Sequence, residues 1–375
     1  MTARINAQQR RFALAAIVLA CSSAGGQQAP PSRIPIIAGL TIVKAVHATE
    51  GDFEAMSVVD GITARGVALT MTGDAPQVAG QKPELVTVQR VVGTQDLKTA
   101  RTFKYVFNTS DEDLISGTTA TGVSSVVLED VRTRGQTQLT LDGRAGGLAG
   151  LVGDLLGTVG QSSGLASGIA SRVQASGLIK LAEPRPVLLP VLVNGKRTML
   201  SAWHLRGRIG EGETAENAEL FILDDTDNPI ALRFAIGADK LDVIKIAFPV
   251  ANAPKDMERE LADNHRTAVY GIYFDFNSAT IKPQSEPVLR EIVSVMKSQP
   301  TWVLKVEGHT DNVGGDAKNM DLSARRAAAV RAALVARGVP ANRLTAGGYG
   351  ASQPQETNTT LAGRARNRRV ELSRQ

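Results

Sequence analysis

Residues 34 to 250 carry short apolar runs that alternate with polar positions and break at Gly, Asn and Asp. The runs "IPIIAGLTIVKAV", "GVALTMTG", "ELVTVQRVV", "RTFKYVFN", "GVSSVVLEDV" and "TQLTLDG" are rich in β-branched residues, which pack well on a pleated surface. The signal returns in "IKLAEPRPVLLPVLVNGKRTMLSAWHLRG", "AELFILDD" and "NPIALRFAIGADKLDVIKIAFP". Within these runs, "VNGK" at 193–196 predicts a tight hairpin. The pattern as a whole predicts one mostly antiparallel β domain over 34–250. It is interrupted at 144–177 by "RAGGLAGLVGDLLGTVGQSSGLASGIASRVQASG", whose glycines at 146, 150, 153, 157, 160, 164 and 168 fall three or four apart. That spacing predicts a Gly-rich helical insertion with one small face. Each helical Gly costs ~1 kcal/mol relative to Ala, so such a helix needs a close neighbour. A loose insertion, a helix packed on its own domain and a helix touching lipid all remain open.

The pattern changes after 250. "ANAPKDMERELADNHRTA" is charged and predicts a linker or short helix, with the linker at 251–267. From 268 to 375, strand and helix periods alternate. "VYGIYFDF" predicts a strand, and "QSEPVLREIVSVMKSQ" predicts a helix through apolar positions 288, 289, 292, 293 and 296. "WVLKVEGHT" predicts a strand, "NMDLSARRAAAVRAALVARG" a helix, and "RLTAGGYG" and "NRRVELSR" two further strands. The expected order is βαβαββ, with helices packed on one face of a mixed sheet. The fold class is α+β.

Candidate chemistry concentrates in "VEGHTDNVGGDAKNMDLSARRAAAV", 306–330. Thr310 and Asp311 follow a strand end, and Asn319 is expected to cap the next helix. On that helix Leu322, Arg326, Val330 and Leu334 are four apart and share a stripe. Arg325 lies about 100° round, toward solvent. Arg326 therefore stands at the edge of the apolar face beside Asp311. Two readings follow: a structural Arg–Asp bridge, or a site in which Arg326 takes a carboxylate and Asp311 an ammonium.

Other motifs carry less. "GQSSG", 160–164, matches a nucleophile elbow but lacks the flanking strand and helix. His47, His204, His265 and His309 show no metal-ligand spacing, and no phosphate or dinucleotide loop is present. No catalytic residue, metal or cofactor is expected. His47 and His204 stand without evident partners in the sequence.

Composition narrows the class. The net charge is +5 with no Lys/Arg block, which argues against nucleic acid. Aromatics make up 4% of the chain, too few for the aromatic girdles of an outer-membrane barrel. The one cysteine, Cys21, ends the apolar run Phe12–Ala20, which Arg4, Arg10 and Arg11 precede. The run is too short to span a bilayer and predicts an export signal over 1–21. Val18-Leu19-Ala20-Cys21 resembles a bacterial lipobox, so Cys21 is the expected lipidation site. Ordinary cleavage after Ala24 is the alternative. Residues 22–33, small, polar and Pro-rich, predict a flexible tether.

"YFDFNSATIKPQ", the 306–330 stretch, "GVPANRLTAGGYGASQP" and "GRARNRRVEL" resemble the signatures of the OmpA-like C-terminal domain, shared with peptidoglycan-associated lipoproteins. The resemblance covers about 268–375 and does not extend to 34–250. It implies non-covalent binding of peptidoglycan through the diaminopimelate of its stem peptide. Asp311 and Arg326 match the pair that clasps the zwitterionic end of that ligand. Phe276 and Asn277 match backbone close to the ligand, Thr310 and Asn319 match positions that shape the pocket, and His309 is expected to be structural. The implied protein is a lipid-anchored tether on the periplasmic face of the outer membrane. Its β domain would meet an envelope protein or a lipid. A cell-envelope hydrolase or a β-barrel porin, each using the C-terminal domain as a wall anchor, are the alternatives.

Overall fold

The computed structural model describes residues 33–48, 51–75, 84–105, 113–143, 173–212, 215–249, 253–275 and 277–375. The expected export signal, Cys21, all but the last residue of the expected tether, the Gly-rich stretch 144–172 and Phe276 lie outside the described residues.

The first part of the chain builds a large sheet. Its strands are β1 (Thr41–Ala48), β2 (Gly51–Thr63), β3 (Gly66–Ala75), β4 (Glu84–Val92), β5 (Thr102–Lys104), β6 (Thr118–Thr119), β7 (Gln136–Gly143), β8 (Val173–Leu181), β9 (Val187–Val193), β10 (Lys196–Ile209), β11 (Glu216–Leu223), β12 (Ala231–Ile236) and β13 (Asp239–Ala247). The order is β4-β3-β2-β1-β13-β12-β11-β10-β8-β7-β5-β6, with β9 pairing β10 and β13. Pairing is antiparallel except where β5 meets β6 and β7, and where β9 meets β13. The mostly antiparallel expectation therefore holds. Asn194 (φ 47°) and Gly195 (φ 79°) turn β9 into β10 with Val193 opposite Lys196, as "VNGK" predicts.

Two expectations in this part are corrected. Strand β8 begins at Val173, inside the segment assigned to the Gly-rich insertion. "GVSSVVLEDV", read as a strand, contributes instead to helix α2 (Ser125–Arg134), which follows the short helix α1 (Thr94–Thr99). Val127, Leu128 and Val131 form a helical face buried with Phe103, Leu139, Ile179, Leu205 and Phe234. Gly135 (φ 67°) closes the helix in the left-handed region. Burial of that face overrides the β-branched propensity.

A second core includes Ile42, Val59, Leu69, Leu200 and Val243. The ladder path ends at β4 and β6, and these two ends meet through a bridge between Val91 and Leu114 and through Arg90, which donates to Asp113 O at 2.8 Å and to Thr118 of β6. Among the described residues, the exposed large apolar side chains are Ile62, Leu178, Leu188, Met199, Val313 and Met320, too few for a lipid-facing band. No helix among them is long and apolar enough to cross a membrane.

The linker region forms helix α3 (Ala253–Asn264). Then follow β14 (Arg266–Val269), α4 (Glu286–Ser298), β15 (Leu304–Gly308), α5 (Asp316–Ala336), β16 (Leu344–Gly348), α6 (Leu361–Asn367) and β17 (Val370–Arg374). The sheet order is β14-β17-β15-β16, mixed in direction. The βαβαββ order is present, with α6 added before the last strand, but the first strand is misplaced by the sequence pattern: of "VYGIYFDF" only Val269 lies in β14, and residues 270–275 are irregular apart from the bridge at Phe274. This part has its own core, which includes Leu261, Ile292, Leu304, Val306, Val330, Leu334 and Leu372.

Glycines set how closely α5 approaches the sheet. A Cβ on Gly308 would lie 2.2 Å from the Ser323 carbonyl oxygen, and one on Gly348 would lie 2.3 Å from the Ala324 nitrogen. Ser323 Oγ accepts from Gly350 N at 2.9 Å, and Gly350 O accepts from Thr310 N at 2.9 Å. The strand ends and the helix are thereby joined where the candidate residues emerge.

Beneath this junction lies a buried charge network. Arg266 bridges Glu307 (2.7 Å) and Glu371 (2.9 Å), and Arg369 Nε donates to Glu371 at 2.6 Å. His309 stacks on Tyr349 with ring centroids 5.3 Å apart. Glu307, His309 and Glu371 bring their ligand-type atoms within 4.8 Å of one another, but the arginines already engage both carboxylates. The cluster is a structural one, in keeping with the structural part expected for His309. Burial, with the Arg369 charge, lowers the His309 pKa from 6.5 to about 4.

Two outcomes follow. Gly348→Ala should lower stability by about 1–3 kcal/mol in urea unfolding, because the helix has no room to yield. For His309, the unfolded imidazole takes a proton near pH 6.5 while the folded one stays neutral to about pH 4. Its contribution is full above pH 6.5 and is lost as pH falls toward 4. The unfolding midpoint of His309→Asn should vary less between about pH 6.5 and 5 than that of the native chain.

Candidate ligand-binding site

The site forms where the 274–281 turn, the end of β15, the start of α5 and the segment after α6 converge. A bridge between Phe274 and Ile281 closes the turn, and Asn277 takes a left-handed backbone (φ 48°), which Asn tolerates. Ser278 N donates to Asp275 O at 3.1 Å, leaving Ser278 O directed at α5.

Arg326 reaches this turn. Its Nε donates to Ser278 O at 2.9 Å, and its guanidinium lies over the Phe274 ring, 4.8 Å from the centroid. These two contacts fix the plane of the fork. Among the described residues, its Nη1 and Nη2 carry no hydrogen bond. Burial lowers the Arg326 pKa to about 10, with Glu54 opposing the shift, so the group is charged at neutral pH. Arg325, one position earlier, is exposed and bonds Asp321 Oδ2 at 2.8 Å, as the helical register predicts.

Asp311 is buried and shaped by its own loop. Its Oδ1 accepts from Val313 N at 3.0 Å. Asn319 Nδ2 donates to Asp311 O at 3.0 Å. Asn319 is not the helix cap: α5 begins at Asp316 after Gly315, which puts Asn319 inside the first turn. From there its amide holds the Asp311 loop. Thr310, also buried, has a side-chain oxygen with no hydrogen-bond partner among the described residues.

Of the two readings of Arg326 and Asp311, the structural bridge between them is not formed. Asp311 Oδ2 accepts instead from Arg368 Nη1. Arg368 Nη2 donates to Glu54 Oε1 at 2.6 Å, and Glu54 belongs to β2 of the N-terminal sheet. Burial opposes ionisation of Glu54, but the charges of Arg368, Lys245 and Arg326 outweigh it and hold its carboxyl below the usual range. Burial also works against the Arg368 charge, yet Glu54 and Asp311 raise its pKa above the ordinary arginine value. Arg326 and Asp311 share the same electrostatic neighbourhood without a hydrogen bond between them.

The structure thus brings Thr310, Asp311, Asn319, Arg326 and the Asn277 turn together. Sequence reasoning missed Arg368, Glu54, Phe274 and Ser278 as members of the site. Arg368, Phe274 and Ser278 lie inside quoted motifs. Glu54 stands 314 positions from Arg368 and has no local signal.

His204, expected to stand alone, does not. Its Nδ1 meets Glu183 Oε2 at 2.6 Å and its Nε2 meets Glu219 Oε1 at 2.7 Å, and the ring stacks on Phe221 at 4.0 Å. His47 also has interactions.

Comparison with known proteins places this geometry. Residues 273–368 match the OmpA family. Outer membrane porin F of Pseudomonas fluorescens is 46% identical over 102 residues, 27% of this chain and 31% of that protein. The probable lipoprotein YiaD of Escherichia coli is 41% identical over 102 residues, 27% of this chain and 47% of that protein. The chain therefore spans less than half the length of these relatives. The crystal structure of the peptidoglycan-associated lipoprotein from Burkholderia pseudomallei is 34% identical, covering 28% of this chain and 88% of that one, with a TM-score of 0.27. The converging turn, strand end and helix thus belong to a recognised unit: residues 273–368 are an OmpA C-terminal domain.

Proposed function

We propose that the chain is an exported envelope protein whose C-terminal domain binds peptidoglycan non-covalently through diaminopimelate. The observation that carries this reading is the held guanidinium of Arg326. It is fixed by Ser278 O and Phe274, and its two terminal nitrogens, which carry no hydrogen bond among the described residues, suit a carboxylate. A bidentate contact there is charge-assisted and geometrically selective. Asp311 supplies the acid for the ligand's ammonium, and the loop bonds of Val313 N and Asn319 Nδ2 keep it in place. Asn277 approaches the ligand through its backbone, and Thr310, whose buried Oγ1 has no hydrogen-bond partner among the described residues, shapes the pocket together with Asn319.

In this reading Cys21 carries lipid in the outer membrane, residues 22–33 span the gap, and the protein tethers membrane to wall. The β domain meets an envelope protein or a lipid. The hydrolase alternative needs a base free to activate a nucleophile. Both ring nitrogens of His204 already face carboxylates, which favours binding over catalysis.

Sedimentation with isolated diaminopimelate-type walls tests the site. Arg326→Ala should weaken binding by roughly 10- to 150-fold, the equivalent of about 1.5–3 kcal/mol for a charged hydrogen-bonded contact. Asp311→Ala should also lose binding, while Arg325→Ala should match the native chain. Walls with lysine in place of diaminopimelate lack the carboxylate for Arg326 and should bind weakly. Equal binding to both walls would leave only attraction between a basic domain and an anionic polymer.

Fractionation tests the anchor. Cys21→Ala should move the protein from the membrane to the soluble periplasmic fraction, because the acyl chains of a lipoprotein supply the membrane affinity. Unchanged fractionation would assign the anchor to another segment.

A further inference from the structure

The two parts of the chain touch at the proposed site, and the contact is built on matched surfaces. Val43, Ala45 and Met56 of the N-terminal sheet bury with Ile244 of β13 and Ala365 of α6, with Val58, Tyr273 and Ala362 around them. Arg366 Nη2 donates to Pro190 O at 2.8 Å, and Arg197 pairs with Glu356 at 2.9 Å. Lys245 sits over the Tyr270 ring at 5.5 Å. This apolar patch is small beside the separate cores of the two parts. The two parts can separate without opening either core.

Glu54 projects from the edge of this patch. It is directly opposite Ala45 in the β1–β2 register, on the face that meets the C-terminal domain. Its carboxylate takes one terminal nitrogen of Arg368 while Asp311 takes the other. Arg326 acts on the same carboxylate electrostatically. A carboxylate is the group that the proposed ligand would bring to this place. The Glu54 and Arg368 side chains keep 33% and 30% of their exposure, so the pair borders solvent and is open to exchange.

We infer that Glu54 is a built-in competitor for the ligand carboxylate: with the two domains docked, it holds Arg368 beside the open Arg326 fork and offsets the cationic charge there, so wall binding is weaker until the N-terminal sheet lifts away. This rests on the diaminopimelate reading of the pocket. The physical reason is a balance of charge. Partly buried Arg368 and Arg326 need an anion, and either Glu54 or the ligand can serve. The docked state therefore binds the ligand more weakly than the separated one, and the apparent affinity of the native chain falls as the docked fraction rises.

The test uses the full exported chain and a soluble disaccharide-peptide fragment that carries diaminopimelate. Glu54→Gln keeps the shape and removes the charge. Val58→Lys places a cation at the apolar patch without touching the pocket. Both should bind the fragment at least about tenfold more tightly than the native chain, and small-angle scattering should show the native chain expanding when the fragment is added. Arg326→Ala in the Glu54→Gln background should lose the gain. If both interface variants bind with native affinity while Arg326→Ala still loses binding, the competitor idea is wrong and the pocket assignment stands. If Glu54→Gln binds more weakly, Glu54 is a ligand-holding residue and the competitor idea is equally wrong. Indifference of binding to Arg326→Ala in every background would instead overturn the pocket assignment itself.

Discussion

The C-terminal site depends on how closely one helix can approach a sheet. Gly308 and Gly348 end two paired parallel strands, and the backbone of Ser323 and Ala324 fills the space their side chains would occupy. Because α5 sits this deep, Arg326, about one turn beyond Ser323, reaches across to the 274–281 turn rather than into solvent. The same approach lets Ser323 Oγ accept from Gly350 N and so links the helix to the loop that carries Thr310. A methyl group at either glycine would push the helix outward and take the guanidinium with it.

Charge is the second constraint on the site. Arg326, Arg368 and Lys245 face Asp311 and Glu54, and each group is partly or wholly withdrawn from water. Burial lowers Lys245 and Arg326 alike, and at about 10 the Arg326 guanidinium stays charged at neutral pH. A planar cation that cannot discharge suits a pocket that must wait for an anion. Such a pocket is stable only when some carboxylate is near, and in the docked arrangement the N-terminal sheet provides it. The network of Arg266, Glu307, Arg369 and Glu371 beneath has a different character. Its charges are paired within one domain, and its part is to hold β14, β15 and β17 together.

Local patterns made much of the C-terminal domain legible. The alternation of strand and helix periods over 268–375 anticipated its element order, and spacing by four along α5 separated Arg326 from exposed Arg325. The hairpin at Asn194-Gly195 was legible for the same reason: its backbone preference is local. The run at 122–131 misled because β-branched residues favour strands only until a helical face finds a core, and α2 finds one. Asn319 misled by a few residues because the helix starts at Asp316, and its amide serves the Asp311 loop from within the first turn.

Reading along the chain was enough to specify which side chains are available, how they are spaced on each element and to which family the C-terminal unit is similar. Those properties depend on neighbours a few positions away. Three-dimensional packing was needed to establish that Asp311 pairs with Arg368, that His204 lies between two carboxylates, and that Glu54 from the first sheet reaches the pocket of the last domain. Each of these is a contact between charges from separate elements. No periodicity encodes it, because electrostatic partners are chosen by distance in space and by the loss of water around them.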